Sequence, residues 1–208
     1  MTRDPAAARA ALLDAGAWFA ELVEELRPHH WTRPGLGTWD VRALVGHTHR
    51  ALLTLADYLA VPAGEPVCTR TGQYYVLAAA AAAPGAVAAR GVAAGQELGR
   101  HPAATVRASL ERAREALARV PADEDPVIRT VVGGTRLSAY LPTRTFELAV
   151  HGLDVAAACG LDRRPPDAVL ADAGHTAVEI AAERGHVPEM LLALTGRQAL
   201  PPGFSVLP

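Results

Sequence analysis

Apolar residues recur at spacings of three and four along most of the chain, and proline or glycine cuts that pattern at intervals. The sequence therefore predicts a succession of amphipathic helices. Asp4 offers an N-cap, Pro5 suits the first helical position, and the run through Leu12, Leu13, Ala17, Leu22 and Leu26 stops before Pro28, giving a helix over 5–27. Residues 28–39 hold Pro34, Gly35 and Gly37 and read as a loop. Asp40 then caps a helix over about 41–60, with Trp39 placed to staple against Leu44. The Ala-rich stretch 72–99 is expected to be helical and interrupted at Pro84-Gly85, and a further helix follows Pro102 as far as Val120. Then the period changes. VIRTVV, Gly133-Gly134 and TRLSAYL alternate around a two-glycine turn, as a small hairpin does. A helix over about 143–158 comes next, and a last one over 168–184 ends at Gly185, before a tail rich in turn residues. The expected fold class is all-α apart from that hairpin.

Half of the 208 residues are hydrophobic and only 5% are aromatic, which suffices for one core of Ala, Leu and Val and for a single domain over 1–208. A net charge of -2 without a basic cluster argues against nucleic acid and against an anionic membrane surface as partners. Cys68 and Cys159 lie far apart without CxxC spacing, which fits core filling in a reducing cytoplasm. Asp14, Glu21, Glu24 and Glu25 interrupt the apolar stretch that a secretory leader would need. The uncharged run 71–89 is mostly Ala and is divided by Pro84-Gly85, so it reads as packed helix and not as a membrane span.

The chemistry on offer is a set of histidines and carboxylates. With twelve Glu and eight His, a Glu followed four residues later by a His should arise by chance about 0.5 times, so spacing alone is weak. Glu25 and His29 have this spacing, but Pro28 separates them. His175 and Glu179, a reversed pair, fall with Asp172, Thr176 and Glu183 on a broad polar face that reads as solvated surface. Glu147 and His151 differ. Arg144, Glu147, His151 and Asp154 form a narrow polar stripe hemmed by Phe146, Val150 and Leu153 on one side and by Leu148 and Val155 on the other. Such a stripe is expected to be partly buried, and a buried carboxylate beside an imidazole needs a partner, of which a cation is one. An Arg144/Glu147 ion pair with a bystander histidine would satisfy the same pattern. On the helix over 41–60, Leu44, Val45, Thr48, Leu52, Leu55 and Leu59 define the core face, with His47 and His49 on opposite edges. Spacing does not choose between those two histidines as a third ligand.

The segments TWDVRALVGH and RTFELAVHGLDVA, with a hairpin just before the second, resemble the metal-binding domain of the mycothiol-dependent maleylpyruvate isomerase family, a branch of the DinB-like four-helix bundles. The resemblance covers nearly the whole chain and rests on a Trp-headed helix with LVxH and a later ExxxHGxD. It implies a divalent metal, usually zinc, held by His47, Glu147 and His151, with His49 the unassigned neighbour. It also implies mycothiol as cosubstrate, so that the nucleophilic sulfur comes from outside the chain. Two imidazoles and a carboxylate leave zinc an open position, as in catalytic sites, where a bound thiol loses its proton or a carbonyl or water is polarised. Asp154 is then a candidate outer acceptor for His151, and Arg144 a candidate support for Glu147 or contact for a substrate carboxylate.

The isomerases of the family carry a further C-terminal domain with a substrate-binding arginine, whereas this chain ends soon after its last long helix, which argues against isomerisation of maleylpyruvate itself. Arg197, in the tail, receives no such role. The functional expectation is a cytoplasmic, metal-dependent and mycothiol-dependent transferase or isomerase-like enzyme, in which a thiolate on the metal attacks a small electrophile. A non-catalytic metal-binding or regulatory module and a metal-dependent hydrolase are the alternatives. Its partners would be a small-molecule substrate and a low-molecular-weight thiol, with a homodimer left open.

Overall fold

The computed structural model describes residues 4–83 and 85–207. In chain order the elements are α1 (Pro5–Glu24), a 3-10 turn (Pro28–His30), α2 (Val41–Leu59), α3 (Thr71–Ala81), α4 (Ala86–Glu97), α5 (Pro102–Ala118), β1 (Val127–Thr130), β2 (Gly133–Arg136), α6 (Leu137–Cys159), α7 (Asp167–Glu183) and α8 (Val187–Leu194). The fold is all-α with one small antiparallel hairpin ahead of α6.

Helices α1, α6, α2 and α5 pack in that cyclic order as a four-helix bundle, while α4 lies against α2, and α3 and α7 pack on α6 and on each other. The caps expected from the sequence are present: Asp4 accepts a hydrogen bond from the Ala6 amide at 3.2 Å, and Asp40 from that of Ala43 at 2.8 Å. The core face of α2 is buried through Leu44, Val45, Thr48, Leu52 and Leu55, against Leu12, Phe19 and Leu22 of α1 and Leu110 of α5 in one apolar cluster. Removing a leucine-sized side chain of this kind from water contributes about 1.5–3 kcal/mol. Cys68 and Cys159 are free, buried thiols. Among the described residues no single helix is long and apolar enough to cross a membrane.

The structure departs from the sequence reading in four places. The hairpin turns at Val131-Val132, since Thr130 pairs with Gly133 and Arg129 with Gly134, so both glycines lie in β2. Gly134 is needed there for closeness, because a Cβ on it would sit 2.2 Å from the Glu65 carbonyl oxygen. That carbonyl belongs to the 61–68 segment, which flanks the hairpin and donates from the Val67 and Cys68 amides to the Gly134 carbonyl.

Helix α6 begins at Leu137, so LSAYL is helix and not strand, and Pro142 sits inside it. A proline so near the start deprives only the Ser138 carbonyl of its helical donor. Asp125 secures that first turn by accepting from the Ser138 amide at 2.7 Å and from its hydroxyl at 2.8 Å.

Beyond Gly185 the tail contains α8, with Pro188 in its first turn, where a proline costs little. The polar face of α7 is not all solvated: Thr176 is buried, and Gly72 of α3 comes so close that a Cβ there would meet the Glu179 carbonyl oxygen at 2.4 Å. Of the break expected at Pro84-Gly85, Pro84 lies outside the described residues, and Gly85 takes a left-handed φ of 73° ahead of α4.

Candidate metal centre

His47 of α2 and Glu147 and His151 of α6 meet between the two helices. Nε2 of His47 lies 3.6 Å from Oε2 of Glu147, and Nε2 of His151 lies 3.4 Å from the same oxygen. The imidazole centres are 5.0 Å apart with the rings at 78°, and the three donor atoms all fall within 4.8 Å of one another. Bonds of about 2.0–2.2 Å in a tetrahedral arrangement place donors roughly 3.3–3.6 Å apart, so the two histidine–carboxylate separations suit one small cation. The side chains of His47, Glu147 and His151 are 19%, 17% and 12% exposed, which lets a small molecule reach them while most of their surface is withdrawn from water.

Each of the three is held from behind. Asp154 Oδ2 is 3.1 Å from Nδ1 of His151, which leaves Nε2 facing Glu147. The Tyr75 hydroxyl, on α3, donates to Glu147 Oε1 at 3.1 Å and also lies 3.2 Å from the Thr143 carbonyl oxygen. His47 lies between two rings, with Trp39 stacked on it at 4.6 Å between centres and His151 edge-on beyond. Trp39 is fixed in turn by α4: its indole N–H donates to the Ala88 carbonyl at 3.0 Å, and a Cβ on Gly91 would fall 2.5 Å from its ring.

The electrostatics follow from burial and neighbours. Burial alone would raise the Glu147 carboxyl, but hydrogen bonds with His151 and His47 and the charge of Arg144 hold it well below the usual carboxylate range. Burial would likewise lower His151, yet the hydrogen bonds and charges of Asp154 and Glu147 outweigh it and hold the imidazolium up to about 9. The cluster thus keeps a fixed negative charge and draws positive charge beside it.

The other residues singled out from the sequence lie elsewhere or act differently. His49 faces α5, buried, with Nε2 2.7 Å from the Ser109 hydroxyl, and burial followed by the charges of Arg50 and Arg112 pushes it down to about 4. Arg144 forms no direct salt bridge with Glu147; its guanidinium sits 4.8 Å from the Tyr140 ring centre and 5.6 Å from that of Tyr74, and its Nε donates to the Thr143 hydroxyl at 2.9 Å. The ion-pair alternative is replaced by cation–π seating. Arg197 is exposed, with Nη1 3.4 Å from the Thr195 carbonyl oxygen. Tyr75 escapes the sequence reading because it sits in an uncharged Ala-rich run with no polar stripe to mark it.

Both thiols of the chain are raised by burial, and Cys68 donates to the Arg70 carbonyl at 3.4 Å. Neither is placed or activated as a nucleophile.

No curated protein and no solved structure matches the chain. A family match does exist, to the mycothiol maleylpyruvate isomerase N-terminal domain, over residues 5–156. It runs from the start of α1 into α6 and includes His47, Tyr75, Glu147, His151 and Asp154, leaving α7 and α8 outside. Since the match takes in well over half of the sequence, the chain belongs to the mycothiol maleylpyruvate isomerase N-terminal domain family.

Proposed function

We propose that this protein is a metal-dependent enzyme that joins a low-molecular-weight thiol, mycothiol by the family's description, to a small electrophile, with His47, Glu147 and His151 as the ligands of the metal. The observation that carries the reading is the convergence of both Nε2 atoms on Glu147 Oε2 between α2 and α6, with all three side chains still partly exposed. Two imidazoles and one carboxylate suit zinc, and three protein ligands leave room for an exogenous group. When bound, such an ion supplies Lewis acidity that lowers the pKa of a thiol brought to it.

The chain's own part is positioning. Asp154 takes up Nδ1 of His151 and so leaves Nε2 for the ion, Trp39 fixes the plane of His47, and Arg144 keeps a positive charge one helical turn before Glu147. A thiol from outside the chain agrees with the buried, unactivated state of Cys68 and Cys159. The domain is read as one unit over 1–208, acting in the cytoplasm.

Titrating mycothiol against the zinc-loaded and metal-stripped protein tests the thiol. Protection against thermal unfolding in the zinc-loaded form, absent from the stripped form and from His151→Ala, is the expected result. Equal protection of both forms, or none in either, would count against it.

A further inference from the structure

The two oxygens of Glu147 have different partners. Oε2 faces both histidines, at 3.6 and 3.4 Å, while Oε1 accepts the hydroxyl hydrogen of Tyr75 at 3.1 Å. Tyr75 is not a loosely held side chain. It is buried on α3, its ring meets that of Phe146 edge-on at 5.7 Å, and its hydroxyl is also within 3.2 Å of the Thr143 carbonyl oxygen. Its helix is anchored from the far side, where Gly72 lies against the Glu179 carbonyl and Arg70 pairs with Glu183 at 2.8 Å.

From this geometry we infer that Tyr75 is a positioning residue that makes Glu147 a one-oxygen ligand. Its hydroxyl holds Oε1 away from the ion, so only Oε2 is offered. A carboxylate can bind a divalent ion through one oxygen or through both. Binding through both would fill a position that an incoming thiol or substrate needs. The tyrosine therefore keeps the centre at three protein donors, and it does so from α3, an element that supplies no ligand. The inference rests on the metal reading above and adds to it the denticity of one ligand and the residue that sets it.

Tyr75→Phe removes the hydroxyl and keeps the ring, and Tyr75→Met, whose flexible side chain fills irregular space, serves if the first variant does not fold. Zinc affinity is measured by chelator competition. The visible absorption of the cobalt(II)-loaded protein reports coordination number, since four-coordinate cobalt absorbs far more strongly than five- or six-coordinate cobalt. Melting of the metal-free form monitors folding, and Tyr58→Phe is the control, a tyrosine on α2 whose ring packs 5.6 Å from that of Tyr140. The expected result is a loss of zinc affinity of about 10–100-fold in Tyr75→Phe, a clear weakening of the cobalt band, and neither change in Tyr58→Phe. A folded Tyr75→Phe with an unchanged cobalt spectrum, whatever its zinc affinity, would overturn the inference while leaving the metal site standing. If wild type binds neither zinc nor cobalt, the metal reading falls and this inference with it.

Discussion

Trp39 lies over the imidazole of His47, ring centres 4.6 Å apart and planes 33° from parallel, and is held there by a helix that contributes no donor to the cluster. Gly91 of α4 makes this possible, because any side chain there would collide with the indole 2.5 Å away. Gly91→Ala is expected to push Trp39 off His47, destabilising the fold by about 1–3 kcal/mol and weakening zinc binding together with it. Chemical denaturation of the metal-free protein and a zinc titration measure the two effects separately. Unchanged zinc affinity would mean that the stacking does not orient His47.

Asp154 acts on the other histidine. Asp154→Asn keeps the shape but loses the charge that holds His151 Nδ1 at 3.1 Å, and an amide can present either its N–H₂ or its oxygen to that nitrogen. Zinc affinity should fall by about 10–100-fold, with little change in the stability of the remaining fold. An affinity within twofold of wild type would remove Asp154 from the site.

Much of this was legible in the sequence. Asp4 and Asp40 announce their helices, and the Glu147/His151 stripe marks a face of α6 hemmed by apolar rows, which the structure turns toward α2. The choice between His47 and His49 was not legible from spacing, because both flank the same core face. What separates them is Ser109 on α5, sixty residues later in the chain, which takes up His49 at 2.7 Å. Tertiary partners also explain the other departures. The start of α6 depends on Asp125 bonding Ser138 ahead of Pro142, and the covering of Thr176 depends on the approach of α3 to α7 at Gly72. Neither leaves a periodic signal.

His49 makes stability depend on pH. Its folded value of about 4 lies below its ordinary 6.5, so the unfolded chain takes up the proton first as pH falls, and stability declines from about 6.5 down to about 4. His49→Gln can still bond Ser109 but has no proton to take up, so it should lose this contribution. Denaturation at pH 7.0, 5.5 and 4.5 compares the two proteins. The wild type is expected to lose a few kcal/mol more than His49→Gln across that range, and parallel pH profiles would contradict the assignment.

Arg144 is seated on the faces of Tyr140 and Tyr74, at 4.8 and 5.6 Å, with one hydrogen bond to Thr143. Arg144→Met retains much of the length and loses the cation. It is expected to destabilise the fold by about 1–2 kcal/mol and to raise the acid midpoint at which Glu147 is neutralised, because one of the charges holding that carboxyl down is gone. Arg144→Lys should restore the charge but only part of the ring stacking. Thermal melts and carboxyl titration followed by NMR provide the readouts.

On the proposed function, His47, Glu147 and His151 together hold one divalent ion. Elemental analysis of the protein purified without added metal, alongside His47→Ala, Glu147→Ala and His151→Ala, tests it most directly. Close to one divalent ion, mainly zinc, per wild-type chain and a marked loss in each of the three variants are expected. A wild-type protein without stoichiometric metal, or three folded variants that all retain it, would contradict it.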